Sequence, residues 1–146
     1  MRSERKAQLS LEFLLILAAF ILALSVSTPL AVKTTKTALF ALEAQRAKSF
    51  LSDYSNAAFY ADIYADGTVK QIKSNAVNEW FFRAGNGNAE LTLSSKSLEK
   101  TITINSKIPF TVTPFSHSLN DSFTLRLKKE SGKISTELID ANQYSH

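Results

Sequence analysis

Phe13–Val32 reads FLLILAAFILALSVSTPLAV, and no Asp, Glu, Lys or Arg interrupts it. As a helix rising ~1.5 Å per residue, this run reaches about 30 Å, the thickness of the hydrocarbon core of a bilayer. Just ahead of it stand Arg2, Arg5 and Lys6 against a single Glu4, the pattern that holds a helix end on the cytoplasmic side of a membrane. The 45% hydrophobic content of the 146-residue chain therefore conceals a molecule in two parts. Half of the net charge of +4 belongs to the basic leader. The remainder is nearly balanced, so nucleic acid is not an expected partner. The chain has no cysteine, which excludes disulfides, thiolate catalysis and Cys-built zinc sites.

Three fates fit an apolar run behind a basic leader. It can be a cleaved secretory signal, an uncleaved signal anchor, or a segment kept on the mature protein after the leader is cut in front of it. Glu12 bears on the choice. A carboxylate at the head of such a helix costs up to ~2.5–3.5 kcal/mol at the bilayer centre, and less near its edge. An ordinary signal peptide has no use for it, and an anchor would place its acid outside the run. If the leader is removed at Ala7, Glu12 lies four residues from a new α-amine and can pair with the amine of a neighbouring copy. The competing account is an acid stranded at the interface.

The stretch RKAQLSLEFLLIL from Arg5 to Leu17 resembles the archaeal class III signal peptide of type IV pilin-like proteins, whose pattern is Q-x-S-x-E-x-x-x-L after the cleavage point. Gln8, Ser10 and Glu12 fall on its polar positions, and Ile16 stands where the pattern has Leu. The resemblance covers only about the first thirty residues. It implies cutting by a membrane-embedded prepilin peptidase between Ala7 and Gln8, a precursor held in the cytoplasmic membrane, and a mature subunit in a cell-surface filament. The implied partners are further copies of the chain and related pilins, the peptidase, and the assembly platform with its ATPase. Adhesion is the use expected of such a filament.

Beyond the run, TTKTALFALEAQRAKSFLSDYSNAAF is rich in helix formers and free of Gly and Pro. Leu39, Leu42, Arg46, Phe50, Tyr54 and Ala57 recur at three- and four-residue steps, which predicts a stripe facing a core. The expectation is one helix from about Gln8 to Phe59, on the order of 75 Å long and kinked near Pro29. From Tyr60 onward the period changes. Leu91–Leu93, Thr101–Ile104, Phe110–Thr113, Phe123–Leu127 and Ile134–Leu138 alternate as strands do. Gly132 predicts a hairpin between the last two, while Pro109 and Pro114 predict an edge or an interruption around Phe110–Thr113. Residues 60–74 read equally as a hairpin through Asp66-Gly67 or as the helix end capped by Gly67. The expected fold is α+β and pilin-like, a long helix packed on a mainly antiparallel sheet. It divides into leader 1–7, apolar assembly helix 8–32, amphipathic continuation 33–59 and β-rich domain 60–146.

No constellation for catalysis is evident, and neither a metal nor another cofactor is expected. His117 and His146 are the only histidines and read as solvated surface. Gly85-Asn86-Gly87-Asn88 lacks the Lys-Ser/Thr of a phosphate loop and reads as a turn. Trp80-Phe81-Phe82 with Tyr60 and Tyr64 concentrates aromatic surface, for which burial against the sheet is the leading account and an exposed adhesive patch the other. Asn120-Asp121-Ser122 is the sole N-x-S/T sequon, a candidate N-glycosylation site. The alternative to a filament subunit is a membrane-anchored or secreted β-domain that binds a surface partner. It predicts cleavage after the apolar run, or none.

Overall fold

The computed structural model describes residues 2–85 and 87–140. One helix, α1 (Arg2–Ile63), precedes five strands: β1 (Val69–Gly85), β2 (Asn88–Ser95), β3 (Lys100–Lys107), β4 (Phe115–Glu130) and β5 (Lys133–Asp140). The chain divides into two compact units, Met1–Leu39 and Phe40–His146.

The first unit is helix alone. Ser25, Thr28, Thr34, Thr35 and Thr37 each donate their hydroxyl to the carbonyl four residues back, at 2.7–3.0 Å. Such back-bonding occupies the hydroxyl donors within the helix itself. Pro29 lies inside the helix; it has no N–H for the Ser25 carbonyl, and its ring crowds that oxygen.

In the second unit, the part of α1 from Phe40 packs on one face of an antiparallel five-stranded sheet, in the order β3-β2-β1-β4-β5. The buried stripe is Phe40, Glu43, Ala47, Phe50, Leu51, Tyr54, Ala58 and Ala61. This corrects the expected stripe in its first half, for Leu39, Leu42 and Arg46 are exposed and a carboxylate takes a core position. Phe50 sets its ring against Trp80, Phe82 and Phe123 at 5.3–6.0 Å. Tyr54 packs edge-on against Phe82 at 4.9 Å and hydrogen-bonds Thr136 through its hydroxyl at 2.8 Å. Burial pushes the Tyr54 phenol up to about 12, the Thr136 bond acting in the opposite direction.

Helix, not hairpin, claims residues 60–63, and a lysine from the sheet holds its end. Lys129 of β4 donates its Nζ to the carbonyls of Asp62 and Tyr64 at 2.5 and 3.0 Å. The last turn has no basic residue of its own, so this lysine supplies the cation that the negative helix end favours. Gly67, at φ +90°, turns the chain into β1, with its N–H on the Lys129 carbonyl.

The hairpin between β4 and β5 forms as expected, with Glu130 opposite Lys133 and a two-residue turn in which Ser131 and Gly132 have φ of 51° and 73°. Both positive angles match the turn whose twist suits paired strands. Phe110–Thr113 corrects the expectation of a strand. Between its flanking prolines it makes only an isolated bridge, Val112 with Ile134, on the free edge of β5. That bridge also shows that the sheet is curled. Phe115 and Lys129 of β4 would stand ~46 Å apart on a flat strand. Yet Thr113, just before Phe115, bonds the carbonyl of Ile134, which pairs with Lys129. β4 must therefore bend, and its register with β1 breaks between Ala76 and Trp80, opposite Asp121 at φ 53°. Extra residues on one strand produce such a bend.

Candidate functional site

The segment that the sequence marks for processing lies wholly within α1, in the first unit. The bond between Ala7 and Gln8 is part of the helix. Gln8, Glu12 and Ile16 succeed one another at four-residue steps and so share a face, whereas Ser10 falls on the opposite side. The Gln8 Nε2 approaches Glu12 Oε1 at 3.5 Å. This amide is the one group hydrogen-bonded to the Glu12 carboxylate among the described residues. Every side chain described between Ser10 and Leu39 is exposed, Ile16 among them. A helix with an apolar span of this length has the dimensions to cross a membrane.

A second polar centre, in the other unit, was missed by sequence reasoning. Glu43, 3% exposed, accepts the backbone N–H of Asn78 at 2.6 Å, the Asn78 side-chain amide, and the indole N–H of Trp80 at 3.0 Å. Asn78 reaches it because Val77–Glu79 form the irregular stretch of β1. A buried carboxylate is tolerable only when donors surround it, and here they come from 35 and 37 residues away. The arrangement ties helix to sheet and has no free acid or base to offer a substrate. An acid in an Ala-rich helix together with the chain's only Trp was the available signal, but their pairing was not readable from spacing.

The remaining candidates scatter. Trp80 and Phe82 are buried, while Phe81, Tyr60 and Tyr64 are exposed, so strand alternation divides the aromatic group. His117 is exposed beside Phe115, at 6.2 Å between rings. His146 and Asn86 lie outside the described residues. β1 ends and β2 begins with Gly85 opposite Asn88, and Gly87 has φ +78°. Among the described residues no group of three His, Cys, Asp or Glu side chains is placed to hold a metal. Asn120 is exposed on β4.

Residues 5–28 match the family model for the class III signal peptide. No curated protein and no solved structure matches the chain. The match spans the end of the basic leader from Arg5, the Gln8/Ser10/Glu12 positions and most of the apolar run. It supports a type IV pilin-like prepilin, a secreted or surface subunit with a membrane-anchored precursor, and points to a structural pilin. It implies processing by a prepilin peptidase and assembly with other pilins.

Proposed function

We propose that this chain is the structural subunit of an archaeal type IV pilus-like filament, cut between Ala7 and Gln8 and polymerised through its apolar helix. The observation that carries the reading is the class III signal laid over a helix whose apolar side chains are unsheltered. Thirteen large apolar side chains between Leu11 and Val32 are exposed. At ~1.5–3 kcal/mol each, sheltering them is worth on the order of 20–40 kcal/mol. No single polar pair approaches that figure. Lipid shelters the helix before assembly, and sister helices do so afterwards.

In this reading Glu12 sets register. Cleavage leaves Gln8 with a free α-amine, and the carboxylate of one subunit takes the amine of the next where both are desolvated. A misplaced subunit would leave a buried charge alone, which is costly. Identical subunits joined head to tail by a rotation that does not close give a helical fibre. The assembly platform and ATPase draw the cut subunit from the cytoplasmic membrane, the globular unit faces the surroundings, and the filament serves adhesion. The chain performs no catalysis in this scheme; the peptidase and ATPase are separate proteins.

Mass spectrometry of subunits from purified native filaments tests the reading. A mature terminus at Gln8 is the expected result. A chain retaining Met1, or one cut beyond Ser27, removes the prepilin reading and restores the anchored or secreted binding module.

A further inference from the structure

The sheet ends in two edge strands with different surroundings. β5 is screened by the chain's own segment before β4: Val112 bridges Ile134, the Thr113 N–H bonds the Ile134 carbonyl at 2.9 Å, and the Ile134 N–H bonds the Thr111 carbonyl at 3.1 Å. β3 is the other edge, and among the described residues no backbone group pairs with its outer side. This open edge is regular. Eight consecutive residue pairs join it to β2 without a shift of register, so no bulge twists it away. Residues 101–106 read TITINS, with no Pro, Gly or charge, and lysines stand only at the two ends of the strand. Pro, bulges and charges along an edge are what keep it from recruiting another strand.

The strand that fits this edge is a second β3. Two identical antiparallel strands about a twofold axis are self-complementary, and keeping the helix-side faces continuous restricts which residues can meet. With Thr103 opposite Thr103 of the second copy, Ile102 meets Ile104 and Lys107 meets Glu99. Ile102 is 37% exposed and Ile104 half-buried, on the same face as their buried partners Leu93 and Leu91. The pairing therefore covers apolar surface that a lone β3 leaves open. Lys107 and Glu99 are exposed, and neither has an ion-pair partner among the described residues. The next register that keeps the faces together centres on Ile104, and it sets Lys107 against Thr101 and Glu99 against Pro109. Opposite charges directly across a strand pair are favourable, so the register centred on Thr103 is the one selected.

The geometry points to β3 as the edge through which two copies of this chain join their sheets, and so to side-by-side association of filaments. Neighbours in a fibre built head to tail are not related by a twofold axis, so a symmetric β3 pair joins subunits of different fibres. That step rests on the filament reading, whereas the pairing itself needs only two copies of the globular unit. One such contact is weak, since an exposed ion pair contributes little. Many identical contacts along two fibres act together, and a small change at each is multiplied.

The chain has no cysteine, so Thr103→Cys reports directly on the twofold contact. Residues opposite each other in an antiparallel pair have Cα atoms about 4.5–5.5 Å apart, within reach of a disulfide. Mild oxidation of native Thr103→Cys filaments should give a dimer linked through position 103. Ser94→Cys, exposed on the inner strand β2, should give none. In electron micrographs Lys107→Glu and Glu99→Lys should each reduce side-by-side filaments on the order of tenfold. Both substitutions in one chain, or a mixture of the two kinds of filament, should restore them. The two change net charge in opposite directions, so a general charge effect would not lower both. Both positions are exposed, and unchanged thermal midpoints would show that the fold is kept. Filaments without the position-103 dimer, a disulfide to a different protein, or a double variant that fails to restore association overturns the inference. The amino-terminal peptide reports separately on cleavage: a Gln8 terminus without the dimer refutes the edge pairing alone. An intact leader refutes the filament reading, and the Thr103→Cys dimer of the full chain in detergent micelles then decides the pairing.

Discussion

Replacing Glu43 by Ala would test whether the buried carboxylate joins helix to sheet. The side chain accepts three N–H donors. Trp80 is fully buried, so its indole N–H has no alternative partner once the acceptor is gone, at ~1–3 kcal/mol. The Asn78 backbone N–H is part-buried and adds about 1 kcal/mol, while its side-chain amide can turn to water. Relief of the buried charge offsets some of this. The net expectation is a loss of about 2–4 kcal/mol, a large part of the ~5–15 kcal/mol typical of a domain. Trp80 is the only tryptophan, so the residue under test is also the probe. Urea unfolding of the full chain in detergent micelles, followed by Trp80 emission, should show the midpoint falling by ~1–2 M for a denaturant slope near 2 kcal/mol/M. Glu43→Gln keeps one acceptor oxygen and should lose roughly half as much. A Glu43→Ala midpoint within ~0.3 M of the parent, at unchanged slope, would refute the reasoning, since the orphaned indole and backbone N–H groups could not then be costly.

The same structure sets three further outcomes. Glu12→Ala should leave cleavage and the fold of the globular unit intact while filament yield falls at least tenfold by electron microscopy; normal filaments would rule out the pairing role. The Tyr54 phenol is raised in the folded state, so its contribution is complete below the unfolded value of 10 and is lost as pH climbs towards about 12; stability should drop by on the order of 2–3 kcal/mol across that window, and Tyr54→Phe should lessen the drop in melts at pH 9, 10 and 11. Gly132→Ala places a Cβ in open space at φ +73°, so backbone strain alone should cost ~1–2 kcal/mol, read as a midpoint ~4–12 °C lower; an unchanged midpoint would mean that the hairpin turn relaxes freely.

The class III signal was legible because its pattern is local. Gln8, Ser10 and Glu12 sit at fixed spacing beside an uncharged run long enough for a bilayer, and no tertiary contact is needed to recognise either. The β4–β5 hairpin was equally local, since Gly132 names its own turn. β1 was not legible beyond its start. Its inward positions include Ser74, Ala76 and Asn78, so polar and small side chains hide the alternation until Trp80. The first half of the helix stripe was misplaced for a related reason: Leu39 and Leu42 look like core residues and Glu43 does not.

Sequence alone determined that this chain carries an uncharged apolar helix behind a basic leader, with a β-rich part after it, because length, charge and period are properties of consecutive residues. Only the tertiary structure decided which helix face is buried and where the sheet bends. Glu43 becomes a core residue solely because the irregular stretch of β1 brings Asn78 and Trp80 to it. A carboxylate's place in a protein depends on who donates to it, and those donors are fixed by folding rather than by nearness along the chain.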